Sequence, residues 1–223
     1  MEDQVCGVFK HGPLYEHRHQ IVEELLPLLR TGDIFCRLGN EGFMGIPFSR
    51  LVARLTKSEW SHSSVVFESH RDWYMLEVND RGTEQCRVID WLDYCSSGAF
   101  AVYRKTDIPW SMKAEVSMQV AIRRFLYEDP DYDFNFSEPH KFYCTESTAR
   151  IYEEAGFPLP KPDYLKNLIP PRAYYLGYPI NWLLRTFTGT GLDVNRPVYT
   201  VGNSRQGMLS DPKIRQIYAY SAT

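Results

Sequence analysis

The chain has 223 residues, of which 43% are hydrophobic and 24% are charged; this balance supports one folded core and excludes wholesale disorder. The formal charge is -3 without any block of basic residues, which argues against nucleic acid as the main partner. No stretch approaches the roughly 18 uninterrupted apolar residues of a membrane-spanning helix, so no transmembrane segment is predicted.

The first residues carry acid where a secretory signal carries Lys or Arg, and no long apolar segment follows them. An odd number of cysteines without a CxxC pair favours reduced thiols over a disulfide framework. Both features predict a cytoplasmic location, with delivery by another secretion route left open. The five thiols belong to Cys6, Cys36, Cys86, Cys95 and Cys144.

Hydrophobic periodicity predicts helices and strands that alternate along the first two thirds of the chain. In chain order, we predict a helix over residues 19–30, a strand over 34–36, a loop over 39–45, a helix over 48–55, strands over 61–68 and 74–78 joined as a hairpin across 69–73, a strand over 100–103, and helices over 114–127 and 144–154.

The last third, residues 157–223, is rich in proline and tyrosine and shows looser periodicity. Prolines at 158, 160, 162, 170 and 171 argue against regular helix at the start of this region. The whole pattern predicts an α+β fold with a small, mostly antiparallel sheet, in a single domain over residues 1–223. Residues 157–223 form a C-terminal elaboration that we expect to line a substrate cleft.

Three polar residues suggest thiol chemistry when they are considered together. Cys144 opens a predicted helix, where the exposed N–H groups favour a thiolate. A thiolate nucleophile needs a base, and His62 begins a predicted strand. Glu77 lies between two apolar residues of the neighbouring strand, where a carboxylate needs a partner such as an imidazole. Taken singly, each of the three also fits a purely structural role.

Several short motifs follow one another along the chain: Gly32-Asp33-Ile34, Ser61-His62-Ser63-Ser64-Val65-Val66, Leu76-Glu77, Tyr132-Asp133-Phe134 and Tyr143-Cys144-Thr145-Glu146. This series resembles the permuted papain-like amidases of the YaeF/YiiX type, a branch of the NlpC/P60 superfamily. The resemblance covers about residues 31–156, and in it His and acid precede Cys, as circular permutation produces. A catalytic triad is defined by geometry and not by chain order.

The resemblance implies a circularly permuted papain-like fold with Cys144 as nucleophile, His62 as base and Glu77 as the residue that orients His62. It also implies that Tyr132, with the Cys144 N–H, stabilises the oxyanion, while Tyr143 is the alternative tyrosine for that role. Thr145 stands where family members often have Ser. The implied reaction is hydrolysis of an amide in a peptide, a cell-wall peptide or an N-acyl lipid, without a cofactor.

Three alternatives to hydrolysis remain open. A thioester on Cys144 that reacts with an amine or alcohol would make the protein an acyltransferase, using the same Cys–His pair. A scaffold without catalysis would bind an acyl or peptide ligand. A metal site would use His140 and Cys144, which are four residues apart, or the N-terminal group His11, His17 and His19. Zinc needs three or four convergent ligands, and only one such paired spacing is present. The sequence does not indicate an oligomeric state.

Overall fold

A six-stranded antiparallel sheet lies at the centre of the structure, a computed structural model that describes residues 11–39, 50, 53–54, 56–79, 82–126, 129–130, 141–168, 195 and 197–222. Its strands are β1 (Ile34–Arg37), β2 (His62–Ser69), β3 (Asp72–Asn79), β4 (Gly82–Arg87), β5 (Ala99–Lys105) and β10 (Ile214–Ser221). They lie in the order β10-β5-β1-β2-β3-β4. Four short strands form two further pairs: β6 (Asp129–Pro130) with β7 (Lys141–Phe142), and β8 (Asp163–Tyr164) with β9 (Pro197–Val198).

Helices pack on both faces of the sheet because its strands are apolar on both sides. In β2, Val65 and Phe67 belong to one buried cluster and Val66 to the other, as the two-residue period of a strand requires. The first cluster includes helices α3 (Met112–Phe125) and α4 (Cys144–Glu154), and the second includes α1 (Arg18–Leu25) and α2 (Val88–Tyr94). A four-residue helix, α5 (Leu165–Leu168), follows β8. The α+β prediction is confirmed.

The predicted hairpin is confirmed, but its turn is shorter than expected. Pairing between β2 and β3 continues to Ser69 and Asp72, so only His70 and Arg71 form the connection, rather than residues 69–73. These two residues have φ angles of 53° and 66°, the left-handed conformation of a type I′ turn. This turn sets the register that later brings Glu77 beside the start of β2.

The first helix ends earlier than predicted. The pattern predicts a helix over residues 19–30, whereas α1 stops at Leu25 and a 3₁₀ turn covers Leu26–Leu28. Pro27 explains the difference, because its ring clashes with the carbonyl of the preceding turn and it has no N–H to donate.

Helix α4 has the bounds that the sequence predicts, residues 144–154, and its end shows why. Gly156 adopts a φ of +87°, which glycine reaches without a Cβ penalty. The Gly156 N–H donates to the Glu153 carbonyl (3.1 Å), and the Phe157 N–H donates to the Tyr152 carbonyl (2.8 Å). These two bonds form a Schellman motif, which satisfies carbonyls that the helix leaves free.

The strands predicted over 34–36 and 100–103 lie within β1 and β5, and the helix predicted over 114–127 corresponds to α3, which begins two residues earlier and ends at Phe125. The sequence pattern missed β4 and α2, which follow directly on the hairpin, and β10, which lies in the region expected to be a loose elaboration. The short elements β6 to β9 and α5 were not predicted either. β10 pairs with β5, and a register shift between Gln216 and Tyr218 interrupts the two-residue alternation that predicts a strand. Most of the predicted loop over 39–45 and of the helix over 48–55 lies outside the described residues, although residues 50, 53 and 54 are helical.

None of the described helices is long and apolar enough to cross a bilayer.

Candidate active site

Helix α4 begins with Cys144, whose side chain is half-buried. Tyr143 is the extended N-cap residue and supplies no side-chain cap, while its carbonyl accepts from the Ser147 N–H (2.9 Å). The sulfur therefore lies at a helix N-terminus whose dipole favours an anion. The Thr145 hydroxyl is 3.8 Å from the sulfur.

Hydrogen bonds of hydroxyl groups hold the N-terminal end of α4 against β2. The Ser63 and Thr148 hydroxyl oxygens are 3.0 Å apart, and the Thr148 hydroxyl donates to the Cys144 carbonyl (3.1 Å). The Ser147 hydroxyl donates to the same carbonyl at 2.7 Å. The backbone N–H of Ser63 helps to lower the pKa of the Cys144 thiol. The nucleophile candidate is thus held against the beginning of the strand that carries His62.

His62 and Glu77 form a buried pair across β2 and β3. Nε2 of His62 is 2.7 Å from Oε2 of Glu77, and the two residues are only 5% and 6% exposed. His62 and the Cys144 sulfur are near enough for each to shift the pKa of the other. Because Nε2 faces the carboxylate, Nδ1 is the ring nitrogen left for the sulfur. The structure brings the predicted Cys, His and Glu into one continuous line of contacts.

Two further side chains contact the Glu77 carboxylate. The Ser64 hydroxyl donates to Oε1 at 2.7 Å, and Nη2 of Arg37 is 3.9 Å from Oε2. Arg37 lies directly across from His62 in the β1–β2 register. No site role was predicted for Ser64 or Arg37. The available signal was the polar series Ser61 to Ser64 immediately before an apolar strand.

These contacts determine the charge state of the site. Burial and then Arg37 disfavour the imidazolium, but the Cys144 and Glu77 charges raise the pKa of His62 to about 10. Burial also disfavours the carboxylate, but His62, Arg37 and the Ser64 hydrogen bond lower the pKa of Glu77 to about 2. Burial raises the pKa of Cys144, but the charge and hydrogen bond of His62 more than compensate, so that its net shift is downward. A thiolate–imidazolium pair is the favoured state.

Most of the chain matches one known protein family. The model of the permuted papain-like amidases YaeF/YiiX, the C92 peptidase family, matches residues 42–218. The chain belongs to this family. The match continues well past residue 156, where the resemblance seen in the sequence ended, and includes most of β10.

A solved YiiX structure has a similar fold. The crystal structure described as the metalloprotein yiiX of Escherichia coli O157:H7 superposes with a TM-score of 0.64, covering 85% of this chain and 96% of that one at 18% sequence identity. At this identity the likeness shows the fold, which is the permuted papain-like fold expected from the motifs. Comparison with curated proteins finds no significant sequence match.

The two tyrosines considered for the oxyanion have different outcomes in this YaeF/YiiX-type chain. Tyr132 lies outside the described residues. The Tyr143 hydroxyl donates to the Tyr199 carbonyl at 2.8 Å and accepts from the Tyr199 N–H. Tyr143 therefore ties α4 to the C-terminal region, and its hydroxyl is engaged by backbone groups there.

The other described thiols have environments unlike that of Cys144. Burial raises the pKa of Cys36 well above its ordinary value, and burial followed by the Glu77 charge raises that of Cys86 to about 12. Cys95 is buried in the opposite cluster. Cys144 is thus the described cysteine whose surroundings favour the thiolate, while Cys6 lies outside the described residues.

The residues considered as metal ligands do not converge in the described part of the chain. His11 stacks on Tyr15 with ring centroids 3.6 Å apart, and His17 lies against the ring of Tyr220. His140 lies outside the described residues. Among those described, no group of three or more His, Cys, Asp or Glu side chains is arranged to hold a metal ion.

Proposed function

We propose that this protein is a cysteine amidase in which Cys144 is the nucleophile, His62 the general acid and base, and Glu77 the residue that orients His62. The observation that carries the proposal is the buried line of contacts from the Cys144 sulfur through His62 to Glu77. Membership of an amidase family supports it independently.

The proposed reaction proceeds through a thioester. The Cys144 thiolate attacks the amide carbonyl carbon, and the oxyanion is stabilised by the Cys144 N–H and, as the resemblance implies, by the Tyr132 hydroxyl. The His62 imidazolium then gives its proton to the leaving nitrogen as the C–N bond breaks. Neutral His62 next takes a proton from water, whose oxygen attacks the thioester. The acid is released and the thiolate–imidazolium pair is restored.

A groove that is open to solvent lies at the end of the sheet nearest His62. Register places His62 beside Arg37, and Arg37 beside Phe100, in one row across three strands. The lining of the groove includes Trp60 and Phe100 together with the acidic Glu59. Cys144, His62 and Glu77 do not line it, so the groove does not select a substrate class. N-acyl amides, peptides and cell-wall peptides are therefore all substrates to test.

The experiment that tests the proposal is site-resolved alkylation with iodoacetamide at about pH 5.5, read by mass spectrometry on native and unfolded protein. An ordinary thiol with a pKa near 8.5 has only about one thiolate in a thousand molecules at this pH. We expect Cys144 to be labelled at least about tenfold faster than Cys36, Cys86 and Cys95 in the native protein, and we expect His62→Ala to remove this advantage.

Unfolded protein provides the control, because all of its thiols should react at similar slow rates. If native Cys144 reacts no faster than the other cysteines, the activated nucleophile is absent and the binding-module alternative takes its place. If Cys144 is activated, turnover of N-acyl amides with and without an added amine acceptor separates hydrolysis from acyl transfer. Cys144→Ala should abolish both reactions while leaving the thermal unfolding transition intact.

A further inference from the structure

We infer that Ser64 is a positioning residue of this site, whose hydroxyl holds the Glu77 carboxylate so that its other oxygen faces His62. The inference rests on the proposed function, because it assigns a role within the same Cys–His–Glu arrangement. It adds a residue that neither the sequence motifs nor the family match assigns.

The geometry of the carboxylate is the first support. Each oxygen of Glu77 has one short contact, Oε1 with the Ser64 hydroxyl and Oε2 with Nε2 of His62, both at 2.7 Å. Ser64 is 2% exposed, so water does not readily replace its hydroxyl. A carboxylate that is hydrogen-bonded at both oxygens cannot rotate about its Cγ–Cδ bond without losing a hydrogen bond. Ser64 therefore determines which direction Oε2 faces.

Strand geometry explains why Ser64 can reach Glu77. His62 and Ser64 are two residues apart in β2 and so point to the same face of the sheet. The β2–β3 register pairs Val65 with Leu76, which places Ser64 and Glu77 next to each other at the following position. One strand thus supplies both donors to the carboxylate, and the donors keep a fixed spacing.

The surrounding charges show what the Ser64 hydroxyl contributes. Glu77 faces Arg37 from β1, His62 from β2, Glu84 and Cys86 from β4, and the Cys144 sulfur lies beyond His62. Arg37 is 3.9 Å away, beyond hydrogen-bond distance, and Glu84 is directly across in the β3–β4 register with the same charge. A hydrogen bond to the charged form of a carboxylate favours ionisation. Removal of the Ser64 hydroxyl should raise the pKa of Glu77, weaken the imidazolium and so raise the pKa of Cys144.

The test is the pH dependence of Cys144 alkylation in wild type, Ser64→Ala and Ser64→Thr. We expect Ser64→Ala to move the midpoint of the rate profile upward by about one pH unit, which slows labelling about tenfold at pH 5.5 and leaves it unchanged above pH 9. Ser64→Thr keeps the hydroxyl and should restore most of the rate at low pH. Ser97→Ala is the matched control, since it removes another buried serine hydroxyl, one that donates to the Ala99 carbonyl (2.6 Å).

The outcomes separate this inference from the proposed function. A midpoint shift in Ser64→Ala, absent in Ser97→Ala and reversed in Ser64→Thr, supports the positioning role. If the midpoint does not move in Ser64→Ala, or moves by the same amount in Ser97→Ala, the positioning role is wrong. In that case the Cys–His proposal still stands if His62→Ala loses the fast labelling of Cys144. A wild-type Cys144 that shows no activation overturns both. If Ser64→Ala does not fold, Ser64→Gly removes the same hydroxyl for the same comparison.

Discussion

Glu77 illustrates how single contacts determine the chemistry of this site. A carboxylate between Leu76 and Val78 in a strand is compatible with an exposed face, but this one is 6% exposed and has three polar partners. A buried charge persists only when partners replace its lost hydration. The partners of Glu77 are His62, Ser64 and Arg37, so burial of the carboxylate requires these contacts.

Replacement of Glu77 by Gln should therefore make stability depend differently on pH. The raised pKa of His62 stabilises the folded state below about pH 6.5, and this contribution is lost as pH rises through about 10. The lowered pKa of Glu77 stabilises it above about pH 4.5, and this contribution is lost as pH falls through about 2. We expect Glu77→Gln to cost about 3 kcal/mol of unfolding free energy between pH 4.5 and 6.5, and less on either side.

Urea unfolding of wild type and Glu77→Gln at a series of pH values would measure this difference. A loss of the same size at all pH values would mean that the Gln side chain only packs poorly. The matched control is Glu84→Gln, because Glu84 is exposed and lies directly across from Glu77 in the β3–β4 register. It should change the unfolding free energy by less than about 1 kcal/mol.

At the scale of elements, the end of α4 that carries Cys144 is fixed from two sides. β2 holds it through Ser63 and Thr148, and the C-terminal region holds it through the two hydrogen bonds between Tyr143 and Tyr199. The segment after β9 is itself secured, since the Met208 N–H donates to the Thr200 carbonyl (2.9 Å). The position of Cys144 therefore depends on residues more than fifty positions later in the chain.

Two tyrosine substitutions should separate support of α4 from stabilisation of the oxyanion. Tyr143→Phe leaves the Tyr199 N–H and carbonyl without their partner, so we expect a loss of about 1–3 kcal/mol in unfolding free energy. Tyr132→Phe should instead lower kcat about 10²- to 10³-fold, the effect of losing one oxyanion donor, with little change in stability. Urea unfolding and steady-state kinetics on both variants make the comparison. A large kcat loss confined to Tyr143→Phe would assign the oxyanion role to Tyr143 instead.

At the scale of the whole molecule, β10 joins the end of the chain to the central sheet. It covers one side of β5. The buried ammonium of Lys105, at the end of β5, contacts Asp107 (3.1 Å) and also Asp211 (2.8 Å), which lies just before β10. An edge strand that pairs with a partner no longer offers free backbone groups to other chains. The C-terminal region is thus part of the main sheet.

The two lysines that contact Asp107 provide a matched test of this connection. Lys105 is 5% exposed, and its removal leaves Asp211 and Asp107 without a buried cation, so Lys105→Met should cost about 3 kcal/mol of unfolding free energy. The Lys213 side chain is 59% exposed and contacts Asp107 at 2.9 Å, so Lys213→Met should leave the midpoint of urea unfolding almost unchanged. Urea unfolding measures the stability of both variants. If both lose the same stability, burial does not make the contacts of Lys105 stronger than those of Lys213.

The sequence by itself determined several local elements and the family. The periodicity and Gly156 define α4, and the alternating apolar runs define β2 and β3. The short motifs indicate a papain-like family, which the family match confirms. Local signals suffice there because helix ends, strand periods and short motifs are written in neighbouring residues. The catalytic roles of Cys144, His62, Glu77 and Tyr132 and the location in the cell stay predictions.

The tertiary structure alone decided which distant residues meet. The bond from Ser64 to Glu77 depends on the register of a hairpin, the bond from Tyr143 to Tyr199 joins residues 56 positions apart, and the pairing of β10 with β5 joins the end of the chain to its middle. In the edge strand β10 the register shifts between Gln216 and Tyr218, which interrupts the regular alternation of buried and exposed residues, so its sequence gives no clear strand signal. Such contacts are fixed by strand register and packing, and neither is readable from one segment at a time.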